Sequence, residues 1–121
     1  MIRRVFLLTP VLSLALFADA VTDAAKKKVS EGKYEEAITE LDAAVKKNPK
    51  SAVYKKALAD AYFEHGNAQM NNAQLPPMRK YPAALRAFRK TMELDPKNTQ
   101  AASNAKMIED IYKSMGRPVP Q

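Results

Sequence analysis

The stretch Gly32-Lys33-Tyr34-Glu35-Glu36-Ala37-Ile38-Thr39-Glu40-Leu41-Asp42-Ala43-Ala44-Val45-Lys46-Lys47-Asn48-Pro49 returns in altered form as Tyr81-Pro82-Ala83-Ala84-Leu85-Arg86-Ala87-Phe88-Arg89-Lys90-Thr91-Met92-Glu93-Leu94-Asp95-Pro96. Tyr34 matches Tyr81, Ala37 matches Ala84, Ile38 matches Leu85, Leu41 matches Phe88, Val45 matches Met92 and Pro49 matches Pro96, each pair separated by 47 residues. Six matches held in one register make an internal repeat.

The repeated unit reads as an amphipathic helix. Tyr34, Ile38, Leu41 and Val45 recur at intervals of four, three and four, which places them on one stripe, and Tyr81, Leu85, Phe88 and Met92 keep the same spacing. Alanines flank each stripe, Ala37 and Ala44 in the first and Ala84 and Ala87 in the second, so a neighbouring helix can approach closely. Charged residues occupy the opposite face, and Asp42 precedes Lys46 by one turn, a favourable order for a surface pair. Each helix ends before Pro49 or Pro96, because proline disfavours helical geometry in the residue ahead of it. The second helix is expected over 82–94, with Pro82 in its first turn, where its missing N–H costs nothing.

Outward from these stretches the chain continues as helix. A short helix over 22–31 is expected, capped by Thr22, facing Ala25 and Val29 inward and ended by Gly32. Ser51 is a suitable cap for a helix from Ala52 to about Glu64, with Tyr54, Leu58, Ala61 and Tyr62 buried. Gly66 follows Gly32 by 34 residues and reads as the equivalent turn. Asn98 caps a last helix with Ala101, Ala105, Ile108, Tyr112 and Met115 inward. Gly116 and Pro118 stop that helix and leave Pro118-Val119-Pro120 as an extended tail.

Residues 1–20 have the layout of a secretory signal: Arg3 and Arg4, an apolar run from Val5 to Phe17, then Ala18-Asp19-Ala20 as a small-x-small cleavage site. The run is shorter than the ~20 residues of a membrane-spanning helix, which favours cleavage over a permanent anchor. The remaining chain would begin at Val21 and stay basic. Export, to the periplasm if the source is bacterial, is the expected localisation.

The full chain of 121 residues carries a formal charge of +7, with no cysteine and one histidine. Its length bounds it to one small domain beyond the signal. Without cysteine there is no disulfide framework, thiolate metal site, cysteine nucleophile or lipid-anchor cysteine. The basic charge has no nucleic-acid motif beside it, so a solvated surface accounts for it and no nucleic-acid partner is expected. No Gly-rich phosphate loop, His-Glu-x-x-His pair or nucleophile elbow occurs. His65 next to Gly66 reads as a helix-end residue on the surface without an orienting partner, so no enzyme, cofactor or metal centre is expected.

With Gly32, Tyr34, Ala37, Ile38, Leu41, Ala44 and Pro49 in one unit and Leu58, Ala59, Tyr62, Gly66, Tyr81, Ala84, Leu85, Phe88 and Pro96 in the next, the chain resembles a tetratricopeptide repeat array. The resemblance covers about 22–115. It departs from the family pattern at Ala25 and Lys28, where glycine and tyrosine are usual, and at Thr91, which replaces a small alanine. It implies an all-α solenoid of two helix–turn–helix repeats, about 22–50 and 51–97, plus a capping helix at 98–115, all within a domain of 21–116 followed by a 117–121 tail. The Leu75-Pro76-Pro77 stretch together with the ending Ile111 to Pro120 also resembles a group of small exported bacterial repeat proteins, which carries no activity with it.

The family lines a concave groove with the first helix of each pair. Carried over, the groove would present Lys26, Lys56, Asp60, Phe63, Glu64, Ser103, Lys106 and Asp110 to a protein or peptide partner. The Lys/Asn/Arg pattern by which some members hold a C-terminal carboxylate is not matched. Between the units lies an insert over 67–80, read as a loop that places Met70, Leu75 and Met78 on the domain or against a partner. Arg79, Lys80, Arg86, Arg89 and Lys90, with Lys97, form a basic stretch. Its alternative role is docking on anionic lipid or cell-wall polymer, the one membrane contact expected beyond the signal. Two and a half units bury their faces poorly, so the exposed ends are also candidates for association with a second copy.

Overall fold

The computed structural model describes residues 10–121, with side chains from residue 16 onward. The described chain is all-α, with five helices in order: α1 (Pro10–Ser30), α2 (Tyr34–Lys47), α3 (Ala52–Met70), α4 (Pro77–Leu94) and α5 (Thr99–Ser114). Each helix packs on the next, and α1 also packs on α3. Arg3 and Arg4 of the expected signal lie outside the described residues.

Two of the expected starts and two of the expected stops hold in detail. The Ser51 hydroxyl accepts from the Tyr54 N–H at 3.2 Å and the Asn98 side chain accepts from the Ala101 N–H at 2.9 Å, so both satisfy helix donors that have no partner within the helix. Gly32 and Gly116 take φ of +78° and +65°. At each, the glycine and the residue after it bond back into the last turn of the helix. Gly32 N–H donates to Val29 O and Lys33 N–H to Lys28 O, while Gly116 N–H donates to Lys113 O and Arg117 N–H to Tyr112 O. This is the Schellman arrangement, which needs a residue that tolerates positive φ.

Other boundaries differ from the sequence expectation. The first helix does not begin at 22. It runs unbroken through 20 and 21, and Thr22 is buried mid-helix with its hydroxyl donating to Asp19 O at 3.1 Å, so it caps nothing. Gly66 is no turn. It lies inside α3, which continues to Met70. A Cβ at Gly66 would stand 2.8 Å from Phe88 Cε1 and 3.2 Å from Ala87 Cβ, so the missing side chain is what lets α3 and α4 meet.

The insert largely dissolves into helix. Its first four residues end α3, and α4 starts at Pro77 rather than near Pro82. Pro76 is extended, at φ −67° and ψ 151°, and Pro77 takes the first helical position, where a missing N–H is harmless. Pro82 therefore sits one turn further in than expected and has no N–H to offer the Met78 carbonyl.

The apolar residues collect on both sides of α3. On one side Ala25, Ala37, Leu41, Leu58 and Ala61 form a buried cluster joining α1, α2 and α3. On the other, Ala84, Leu85, Phe88, Ala101, Ala105, Ile108 and Tyr112 join α4 to α5, with Phe63 and Met70 of α3 packed against them. The Phe63 and Phe88 rings lie 6.0 Å apart at 54°. Thr91 is fully buried, and its hydroxyl lies within hydrogen-bond reach of both Ala59 O on α3 (3.2 Å) and Ala87 O on its own helix (3.1 Å).

The C-terminal tail is docked. Val119 packs on the α4/α5 cluster, and Arg89 donates to Pro120 O at 2.8 Å. Met115, expected inward, is exposed because the Gly116 turn begins there.

Candidate functional site

The odd-numbered helices bring most of the expected groove residues to one face. On α3, Asp60, Glu64 and Asn67 follow one another at intervals of four and three, so they share a helix face. That face forms a wall of one cleft with α1 and another with α5.

The α1/α3 cleft holds about 380 Å³. Ala25, Ala57 and Ala61 make much of its apolar lining with Val29, Leu41 and Tyr34, while Lys26, Asp60 and Glu64 supply its charges. The small side chains of α1 and α3 leave the space open. Further along the same pair of helices, a recess of about 430 Å³ is lined by Asp19, Asp23, Lys26, Lys56 and Asp60. Lys56 is tied to Asp60 by an ion pair one turn apart on α3.

The α3/α5 cleft holds about 510 Å³ and is lined by Phe63, Glu64, Asn67, Ser103 and Asn104 among others. Glu64 thus borders both clefts. Asn104 donates to Asn67 Oδ1 at 3.1 Å and joins the two helices. These asparagines were not among the expected groove residues, because Asn67 reads as insert when α3 is ended near Glu64. Its place three residues after Glu64 becomes meaningful only once the helix continues.

Lys106 and Asp110 stand apart from both clefts. They border a shallow depression on α5 with Ser103 and pair with each other at 2.6 Å. That hydrogen bond holds Lys106 above the usual lysine range and Asp110 below the usual carboxylate range. Phe63 is half-buried against Phe88, so it serves the core as well as the cleft.

His65 is not at a helix end. It lies within α3, half-buried, with its ring stacked on Tyr34 at 5.2 Å and 8°. Burial lowers its pKa from the ordinary 6.5, and the nearby Glu35 carboxylate acts in the opposite sense. Among the described residues no group of three His, Asp or Glu side chains comes together in a way that would hold a metal ion.

Met70, Leu75 and Met78 do not act together. Met70 packs on the α4/α5 core, Leu75 is half-buried, and Met78 is exposed beside the Arg117 guanidinium. The basic stretch is also divided. Lys80 lies over the Tyr81 ring at 5.4 Å, Arg89 holds the tail and stands 4.0 Å from Glu109, and Lys90 pairs with Glu93 at 3.4 Å. Only Arg79, Arg86 and Lys90, at intervals of seven and four, share an exposed stripe on α4.

No described helix is long and apolar enough to cross a membrane. No protein-family model matches the chain, and no curated protein matches its sequence.

Proposed function

We propose that the chain is a short tetratricopeptide-like repeat module, exported to a bacterial cell envelope, whose α1/α3/α5 face docks a protein or peptide without catalysing a reaction. Repeat one is α1 with α2, repeat two is α3 with α4, and α5 is the capping helix. The observation that carries this reading is the sharing of α3 between two clefts, so that alternate helices border a groove running across the molecule. A groove with an apolar lining and a few fixed polar groups is the usual form of a docking site.

The reading is tested by site-specific crosslinking in the native cell. A photo-reactive residue in place of Asp60 or Phe63 should trap a discrete partner, whereas one in place of Glu36 on α2 should not. Equal labelling from both faces overturns the groove. Export is tested separately by intact-mass measurement of the protein from envelope fractions, which should show a chain beginning at Val21.

A further inference from the structure

We infer that the face of α4 and α5 covered by the C-terminal tail is a second docking site, for an extended partner segment with an apolar residue flanked by prolines, and that the tail is a displaceable strap holding this site closed. The site is separate from the groove proposed above: neither Arg89, Glu109 nor any tail residue lines the α1/α3 or the α3/α5 cleft.

The tail itself shows what the face accepts. Val119 packs against the cluster that contains Leu85, Phe88, Ile108 and Tyr112, and Pro120 is half-buried, while Arg117 and Pro118 are exposed. The Arg89 guanidinium donates to the Pro120 carbonyl at 2.8 Å and stands 4.0 Å from Glu109, so α5 helps to orient it. One branched apolar side chain and the main-chain carbonyl after it are features that many segments share, so these contacts do not depend on the rest of the tail. The prolines supply the shape. Pro118 and Pro120 have no N–H, and Arg117 and Val119, each ahead of a proline, are kept extended. Such a segment brings few backbone donors to the face and loses little freedom on docking.

The strap is fastened lightly. Val119 is only half-buried, and the Arg89 side chain that holds Pro120 is 36% exposed. The chain turns into the tail at Gly116, at φ +65° with nothing within 4 Å of where a Cβ would be, so no packing locks the turn. A free segment of this length making the same contacts would bind with a Kd on the order of 1 mM. The tethered tail is held at an effective concentration that is also on the order of 1 mM. The two are comparable, so a partner segment with one further contact displaces the tail without unfolding a helix.

An NMR titration of the full chain with a hexapeptide of the sequence of residues 116–121 tests this. Val119→Gly releases the tail, and because Val119 lies outside every helix the fold is kept, which the amide spectrum checks. In that variant the peptide should shift the signals of Arg89, Ile108 and Tyr112, at concentrations about fivefold lower than in the parent, whose own tail competes. A peptide with glycine in place of its valine should shift nothing. Adding Arg89→Gln to the released chain should weaken binding about fivefold, the loss of one hydrogen bond, whereas Arg86→Gln on the exposed stripe of α4 should change nothing. If the parent and the Val119→Gly chain take up the peptide equally, or if the valine and glycine peptides bind alike, the tail does not guard the site and the inference is overturned. If neither chain binds the peptide at about 5 mM, the face holds only its own tail and the inference fails. If the Val119→Gly chain sediments as a dimer, the occupant is a second copy and the partner segment is excluded. None of these outcomes bears on the α1/α3/α5 groove, which the crosslinking experiment tests on its own.

Discussion

The α1/α2 and α3/α4 pairs follow one sequence plan, and Gly32 and Gly66 stand at corresponding places in it, yet the two pairs are held together differently. Gly32 serves the backbone: it turns the chain at φ +78° with no atom within 4 Å of where a Cβ would be. Gly66 serves packing: it lies in regular helix and removes the one atom that would collide with the Phe88 ring. The α3/α4 pair also has the buried Thr91 hydroxyl reaching the Ala59 carbonyl, where α2 has Ala44 at the matching position. The α3 and α4 helices are also in more extensive contact with each other than α1 and α2 are, so the α1/α2 pair is the looser of the two. One repeat pattern therefore specifies where helices lie, while individual side chains set how closely they approach.

The largest effect should come from emptying the tighter side. Phe88→Ala removes a fully buried ring between α3, α4 and α5 and should cost about 3–5 kcal/mol of unfolding free energy in urea. Leu41→Ala, on the looser side, should cost less, about 2–3 kcal/mol, because its surroundings are small and can relax. Equal losses would mean that the two cores are equally packed.

The glycines separate next. Gly66→Ala should destabilise by about 1–2 kcal/mol, the overpacking cost less the gain in helix propensity. Gly32→Ala should cost a similar ~1–2 kcal/mol through left-handed backbone strain. Combining each with Phe88→Leu distinguishes them. The double-mutant cycle should show coupling of at least ~0.5 kcal/mol for Gly66, where the smaller side chain makes room, and none for Gly32.

Thr91→Val keeps the shape and removes the hydroxyl. A hydroxyl has one proton, so it donates to the Ala59 or the Ala87 carbonyl at a given moment and the loss should be modest, about 1 kcal/mol. A neutral result would mean that Thr91 fills space and nothing more.

The smallest effect concerns His65. Its folded-state pKa lies below the ordinary 6.5, so the unfolded chain binds the proton more readily. The stabilisation is present above pH 6.5 and is lost as pH falls from there through the lower folded value. Urea midpoints at about pH 7.5 and 5.5 should therefore differ less in His65→Phe than in the parent protein. The difference will be small because the ring is only half-buried and Glu35 favours its charged form.

Much of the helical order was legible. The Tyr34–Lys47 boundaries follow from Gly32 and Pro49, and the Ser51 and Asn98 caps follow from residue type, since these are local effects within one turn. The groove face of α3 was half legible: Asp60 and Glu64 were expected, but Asn67 was hidden by reading Gly66 as a stop. A glycine inside an apolar pattern serves equally as a turn or as a close contact, and nothing within a few residues of Gly66 distinguishes the two. The arrangement of the basic stretch was hidden for a related reason. Lys80 and Arg89 are cations in the sequence, but the Tyr81 ring and the Pro120 carbonyl engage them.

By itself the sequence determined the helices, their order and the repeat, because amphipathic periodicity, caps and prolines act over one or two turns. Tertiary structure alone decided that α3 runs past Gly66, that the tail folds back on Val119 and Arg89, and that carboxylates from α1 and α3 border one groove. Each of these depends on atoms that are distant in the chain and adjacent only after packing: Gly66 with Phe88, Arg89 with Pro120, and Asp23 with Asp60.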